Sequence, residues 1–192
     1  MFDKKVRIGF AMSGSFCTFE KVFKTVETLV RDGAEIIPVM SFNASQISSR
    51  FGTAEENVKR FEEITGRKVI KTIEDAEPIG PKDMCDIMVV APATANSIAK
   101  LAPGITDTPL TMAVKSHLRN LKPVVIAVST NDALSGCAKN IGLLRNYRNF
   151  YFVPYKQDNF VKKPNSMVAD FSLIENTVKL ALEGIQIQPV VL

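Results

Sequence analysis

The chain has 192 residues, with 24 Lys and Arg against 20 Asp and Glu for a formal net charge of +4, and three cysteines. This length suits one domain spanning 1–192 with a sizeable core; the mild basicity falls short of a nucleic-acid binder's concentrated charge, and no run approaches the roughly 20 apolar residues that cross a bilayer. Cys17, Cys85 and Cys137 are too few and too scattered for a disulfide framework or a metal site, and Met1-Phe2-Asp3-Lys4-Lys5 leads into a strand without a signal-peptide core, so a cytoplasmic protein with reduced thiols is expected.

Val6–Met12 reads as a buried strand that ends in Ser13-Gly14-Ser15. Phe19, Val22, Phe23, Val26, Leu29 and Val30 then recur at helical spacing until Gly33 stops the helix. Glu35–Met40 is a second strand. Thr53-Ala54-Glu55-Glu56 has the form of a capping box and opens a helix to about Thr65, closed by Gly66. Val69-Ile70 is a short extended piece, followed by a Pro- and acid-rich connection from Glu74 to Asp83. Asp86–Ala91 is apolar on both faces, the pattern of a strand central in a parallel sheet. Two helices follow, about Ala95–Ala102 and Pro109–Asn120, then strands at Val124–Ser129 and Phe150–Val153. A last helix is expected over Phe171–Glu183, with Asp170 as N-cap and Gly184 as C-cap.

Strands alternating with helices predict an α/β fold of three layers, a doubly wound parallel sheet of about six strands with Val6–Met12, Ile87–Ala91 and Val124–Ser129 central. In such sheets ligands bind at the C-terminal edge of the strands. Two loops at that edge, Ser13-Gly14-Ser15 and Pro92-Ala93-Thr94-Ala95-Asn96, combine small residues, hydroxyls and free backbone N–H groups just before helices, a setting that attracts phosphate. After Gly9 the chain lacks the three-glycine spacing that admits a pyrophosphate. A single phosphate, as in FMN, suits the first loop better. The same residue types also serve as plain helix caps. Residues 139–163 carry Lys139, Arg145, Arg148, Lys156, Lys162 and Lys163 against Asp158, either a solvated face or a receiver for a carboxylated metabolite. His117, the single histidine, falls in a helical pattern beside Lys115 and Arg119 and reads as a helix-surface residue, not a general base.

The stretch Ala91-Pro92-Ala93-Thr94-Ala95-Asn96-Ser97-Ile98-Ala99-Lys100, followed by Gly104-Ile105-Thr106-Asp107-Thr108-Pro109-Leu110-Thr111, resembles the flavin-binding signature of the homo-oligomeric flavin-containing cysteine decarboxylase family. The resemblance implies a Rossmann-like flavoprotein fold and an FMN cofactor. It assigns flavin contacts to Thr94, Asn96, Thr106 and Asp107, and phosphate contacts to Gly14, Ser15 and Ser41, with Asn43 beside them in Met40-Ser41-Phe42-Asn43. Ser129-Thr130-Asn131-Asp132, Ala138–Leu144, Asn149–Tyr155 and Lys163–Ala169 extend the likeness to a branch of spore-forming bacteria. There the flavin protein works with a nicotinamide-binding A subunit, using NAD(P), to oxidise a dihydropyridine dicarboxylate in the mother cell. That branch implies a homo-oligomer, trimers grouped into a dodecamer. No metal is implied.

Departures matter too. The decarboxylases carry a catalytic His after the second strand, and Ser41–Thr53 here has none; their Pro-x-Met-Asn clamp is replaced by Thr130–Gly136, with Ala133 where a Gly-rich turn is expected. No catalytic residue is named from the sequence. A flavin-dependent oxidoreductase subunit, a non-catalytic partner of the A subunit and, more weakly, an FMN-dependent decarboxylase all stay open.

Overall fold

The computed structural model describes Phe2 and residues 4–192; Met1 and Asp3, part of the leading segment considered above, lie outside the described residues. Three strands at its centre, β1 (Arg7–Met12), β3 (Ile87–Ala93) and β4 (Val124–Thr130), are buried almost throughout. Helices cover both faces of the sheet, so neither set of side chains on these strands meets water, and the runs read as continuously apolar. β2 (Glu35–Met40) flanks β1, in parallel register from Arg7 opposite Glu35 to Met12 opposite Met40. β1 pairs β3, and β3 pairs β4, also in parallel.

On one face, α1 (Phe19–Arg31) and α3 (Ala54–Thr65) pack together. Phe61 of α3 stands edge-on to Phe10 of β1 and Phe23 of α1, with ring centroids 6.1 and 6.0 Å apart. α3 begins and ends where the sequence places it. The Thr53 hydroxyl accepts from Glu56 N, the Glu56 carboxylate accepts from Thr53 N, and Gly66 closes the helix at φ +66°. Such a cap stabilises by roughly 1 kcal/mol. The acid-rich connection folds into α4 (Ile73–Ala76) and a 3-10 turn over Glu77–Ile79, packed on α6 (Pro109–Leu118).

The sheet is not wholly parallel. β4 divides its outer edge between two partners: Val124–Ile126 pair β5 (Phe150–Phe152) in parallel, while Ser129 and Thr130 pair β7 (Met167–Ala169) antiparallel. β6 (Tyr155–Lys156) adds to β7, giving seven strands where about six parallel ones are expected from sequence. Strands of two or three residues have too little length for any period to show. Beyond β6, Tyr155 N donates to Val190 O and Leu192 N donates to Tyr155 O, each at 3.1 Å. Between β4 and β5 the chain forms α7 (Ala138–Asn146), and the last helix, α8 (Ile174–Leu182), follows a 3-10 turn over Phe171–Leu173 that Asp170 caps. Among the described residues no helix is long and apolar enough to cross a membrane.

His117 corrects a sequence expectation. It is not a surface residue but is 1% exposed, because α6 is covered by the sheet on one side and by α4 and its neighbouring turn on the other. Its Nε2 lies 3.0 Å from the Pro123 carbonyl, before β4 and thus at the opposite end of the strands from the cleft. Burial pushes the imidazole down to about 4, against the pull of that carbonyl. The unfolded chain takes up this proton near pH 6.5 and the folded chain only near 4, so stability falls as pH drops through that window. At pH 5 the expected loss is about 2 kcal/mol relative to pH 7 from this group. Urea unfolding of the wild type and His117→Gln at both pH values measures it: the variant should lose less on acidification, and identical losses would show that His117 titrates normally.

Candidate functional site

The ends of β1, β2 and β3 meet at one edge, and Ser13 is the joint between two of their loops. Its Oγ donates to the Pro92 carbonyl at 2.6 Å, accepts the Thr94 N–H at 3.0 Å, and lies 3.1 Å from Thr94 Oγ1. Ser13 is buried, so these bonds fix the spacing between the Gly14 loop and the start of α5 (Ala95–Leu101). From β2, Ser41 N donates to Met12 O at 3.0 Å, and Ser41 Oγ accepts from Ala44 N at 3.3 Å to cap the short helix α2 (Phe42–Gln46). At Gly14 an added Cβ would stand 3.2 Å from Asn43 Cβ. Glycine therefore keeps the approach between these two loops open.

Gly14, Ser41, Asn43, Thr94, Asn96 and Asp107 line one cavity of about 220 Å³, together with Ser13, Phe42, Ser97, Lys100 and Thr108. The structure does not bring Ser15 and Thr106 into it. The Ser15 hydroxyl is 3.0 Å from that of Ser129 at the end of β4, and Thr106 lines a separate, mostly apolar cavity of about 260 Å³ with Ile105, Val114 and Phe150. The sequence assigns no contact to Ser13, Phe42, Ser97, Lys100 or Thr108, although all five lie in or beside the loops it singles out. The signal for Lys100 is its place four residues after Asn96, which puts both on one face of α5.

Lys100 Nζ lies 2.8 Å from both carboxylate oxygens of Asp107. Apart from this pair the wall consists of hydroxyls, an amide-bearing pair of asparagines, glycine and one phenyl ring. Thr108 and Thr111 form a reciprocal cap on α6 that fixes the loop carrying Asp107. This arrangement offers many neutral donors and one cation, chemistry suited to a phosphate or a polyhydroxyl chain.

No thiol or imidazole among the lining residues supplies a base here. Cys85 is pushed up to about 12 by burial, Cys137 up to about 11 by burial and by Asp132, and both are buried away from solvent. Among the described residues no three His, Cys, Asp or Glu side chains group as metal ligands. The cations of residues 139–163 disperse. Lys163 pairs with Asp158 at 3.3 Å, Arg145 stands 3.5 Å from the Tyr155 hydroxyl, and Lys156 lines a separate groove of about 670 Å³ with Lys21, Lys24 and Ser172.

The family described as Flavoprotein matches residues 2–180. The B subunit of dipicolinate synthase from Bacillus subtilis (strain 168) is 48% identical over 187 residues, 97% of this chain and 94% of that protein. The crystal structure of the corresponding dipicolinate synthase polypeptide from Bacillus halodurans is similar over 100% of this chain and 98% of its own, with a TM-score of 0.91 at 40% identity. The FMN-dependent cysteine decarboxylase SpaF is similar at a TM-score of 0.68 and 25% identity, over 93% of this chain and 97% of its own.

Proposed function

The chain belongs to the Flavoprotein family, and from that premise we propose that it is the flavin-binding B subunit of a dipicolinate synthase, working with a nicotinamide-binding A subunit that uses NAD(P). The substrate in this reading is a dihydrodipicolinate-type dicarboxylate, oxidised to dipicolinate in the mother cell of a sporulating bacterium. Residues 1–192 act as one flavoprotein-like domain in the cytoplasm.

The convergence of Gly14, Ser41, Asn43, Thr94, Asn96 and Asp107 on one cavity carries the reading. The donor set fits FMN: a glycine cradle that a Cβ would narrow, hydroxyls from three strand ends and one ammonium. Gly14, Ser41 and Asn43 would hold the phosphate, with Ser15 following Gly14 in the same loop but outside the cavity lining. Thr94, Asn96 and Asp107 would hold the sugar chain and the ring, while Thr106 lines the separate apolar cavity and stands outside this set. When bound, the flavin supplies hydride or electron transfer. The protein's own part is to bind and orient, through Ser13 holding the Thr94 loop at a fixed distance from the Gly14 loop.

A non-catalytic role is favoured by one observation: the cavity wall holds no group free to move a proton, since Asp107 is tied to Lys100. The two readings separate in an assay with purified A subunit, precursor and nicotinamide cofactor. Flavin chemistry requires a visible flavin spectrum and a fall in dipicolinate formation of at least about 100-fold, or about 2.7 kcal/mol in barrier, when FMN is stripped. Full rate with stripped protein but not without the chain makes it a scaffold. Assembly into a homo-oligomer, trimers in a dodecamer, is supported by the exposed Phe160 and Val161, 70% and 77% accessible. A monomer mass by light scattering at micromolar concentration contradicts it.

A further inference from the structure

The groove of about 670 Å³ lies between α1 and the β6–β7 pair with the turn that follows it, and it shares no lining residue with the strand-end cavity. We propose that this groove is a second ligand site, for a planar aromatic dicarboxylate. The inference goes beyond the flavin reading and stands whether or not flavin binds.

Local geometry sets the two walls. Lys21, Lys24, Thr25 and Thr28 recur at the spacing that puts them on one face of α1, a stripe about 10 Å long. Across the groove, Lys156 of β6 stands opposite Val168 of β7, and cross-strand partners project from the same face of a sheet. Thr25 Oγ1 donates to the Phe171 carbonyl at 3.4 Å, which ties one wall to the other. Between them the floor is apolar: Leu29, Ala169 and Phe171 are buried and Val168 is half-buried. A mostly apolar concavity with a few convergent charges is the form that holds a small molecule.

Charge decides the sign of that molecule. Of the three lining carboxylates, Asp158 is paired with Lys163 at 3.3 Å and Glu175 with Lys179 at 2.7 Å, and neither of these cations lines the groove. Asp170 accepts from Ser172 N and Oγ as the cap of its own turn. The lysines are not so engaged. Among the described residues Lys21 and Lys156 have no carboxylate within ion-pair reach, and Lys24 has only Glu20 at 3.7 Å, which Arg60 already holds at 2.6 Å. Three ammonium groups therefore face a groove in which Asp170 alone lacks a cation of its own. Because they come from both walls, the ligand that offsets them carries a negative group at each end and a flat apolar body that covers Val168 and Phe171 between. A phosphate monoester gathers its charge at one end and reaches one wall only.

The test is isothermal titration calorimetry of the full chain, without flavin, using pyridine-2,6-dicarboxylate and benzene-1,3-dicarboxylate as probes, with benzoate, succinate and inorganic phosphate beside them. Both aromatic dianions should bind with a dissociation constant below about 1 mM. Benzoate, which satisfies one wall, and succinate and phosphate, which leave the floor uncovered, should each bind at least about fivefold more weakly. Lys21→Gln and Lys156→Gln should each weaken the aromatic dianions by about fivefold, the size of an exposed ion pair, and Lys139→Gln, which removes an equal charge outside the groove, by less than about twofold. All three lysines are exposed, so the variants fold. Binding that benzoate matches, binding that survives both groove variants, or no heat from either aromatic dianion overturns the proposal. So does an equal loss of FMN affinity in Lys21→Gln and Lys156→Gln, since the two sites would then be one. If no protein binds FMN while the dicarboxylates behave as expected, the flavin reading fails and the groove stands.

Discussion

Replacing Gly14 by glutamate is expected to abolish FMN binding, with affinity falling by more than 100-fold. Two physical effects add. The new Cβ stands 3.2 Å from Asn43 Cβ, closer than ordinary contact, so the two loops must part by a few tenths of an ångström. The new carboxylate then puts a second negative charge into a wall that holds Lys100 as its one cation. Two unit charges about 5 Å apart at an effective dielectric of about 20 repel by about 3 kcal/mol, and 1.4 kcal/mol is already tenfold in affinity. Gly14→Ala keeps only the steric part and should weaken binding by about 10-fold. Both variants should unfold near the wild-type temperature, because Gly14 is partly exposed and has an ordinary backbone conformation. Flavin fluorescence titration decides: binding by Gly14→Glu within threefold of wild type would place the phosphate elsewhere.

The largest expected loss of stability lies far from that loop, at Gly80. Its N–H donates to Ser116 Oγ at 2.8 Å and its carbonyl accepts from Asn120 Nδ2 at 2.8 Å, while Ser116 Oγ donates to the Glu77 carbonyl. A Cβ there would stand 2.7 Å from the Ser116 carbonyl carbon and closer still to its oxygen. This neighbour is helix backbone and cannot rotate aside, so α6 must move off the turn that precedes Gly80. Gly80→Ala is expected to cost about 3 kcal/mol or more, from overpacking together with disrupted buried hydrogen bonds. Gly142 is the matched control. It lies inside α7 with open space where a Cβ would point, so Gly142→Ala should stabilise by about 0.5–1 kcal/mol. Chemical denaturation of the two variants reads the contrast directly, and a Gly80→Ala cost under about 1 kcal/mol would mean that α6 yields easily.

Where the sequence speaks through local chemistry it is legible to the residue. Thr53 and Glu56 announce the start of α3 and Gly66 its end, because both caps are made by residues a turn or less away. Asp170 likewise caps the turn before α8. Central strands are legible because burial on two faces leaves an unbroken apolar run. What fails is what depends on distant neighbours. His117 lies on a helix that tertiary contacts cover on both sides, and α7 is masked by the cations in its stretch, which draw attention to charge instead of periodicity. In the site, Gly14, Ser41 and Thr94 converge because they lie directly at strand ends, whereas in the loop before α6 Asp107 lines the cavity and its neighbour Thr106 the separate one, and the Ser15 hydroxyl finds Ser129 across the sheet.

The pairing of Tyr155 with Val190 and Leu192 bears on how this protein behaves in crowded solution. A strand at the rim of a sheet offers unpaired N–H and C=O groups that another chain can copy, which is how edge-to-edge aggregation begins. At Tyr155 both flanks are occupied, by Ala169 of β7 on one side and by Val190–Leu192 on the other. Three residues outside any long element thus act as a seal, and their fraying sets how often the rim is bare. Edge-to-edge association through this rim therefore requires that Val190–Leu192 leave first, a segment held to Tyr155 by two backbone hydrogen bonds and to the core by Val190.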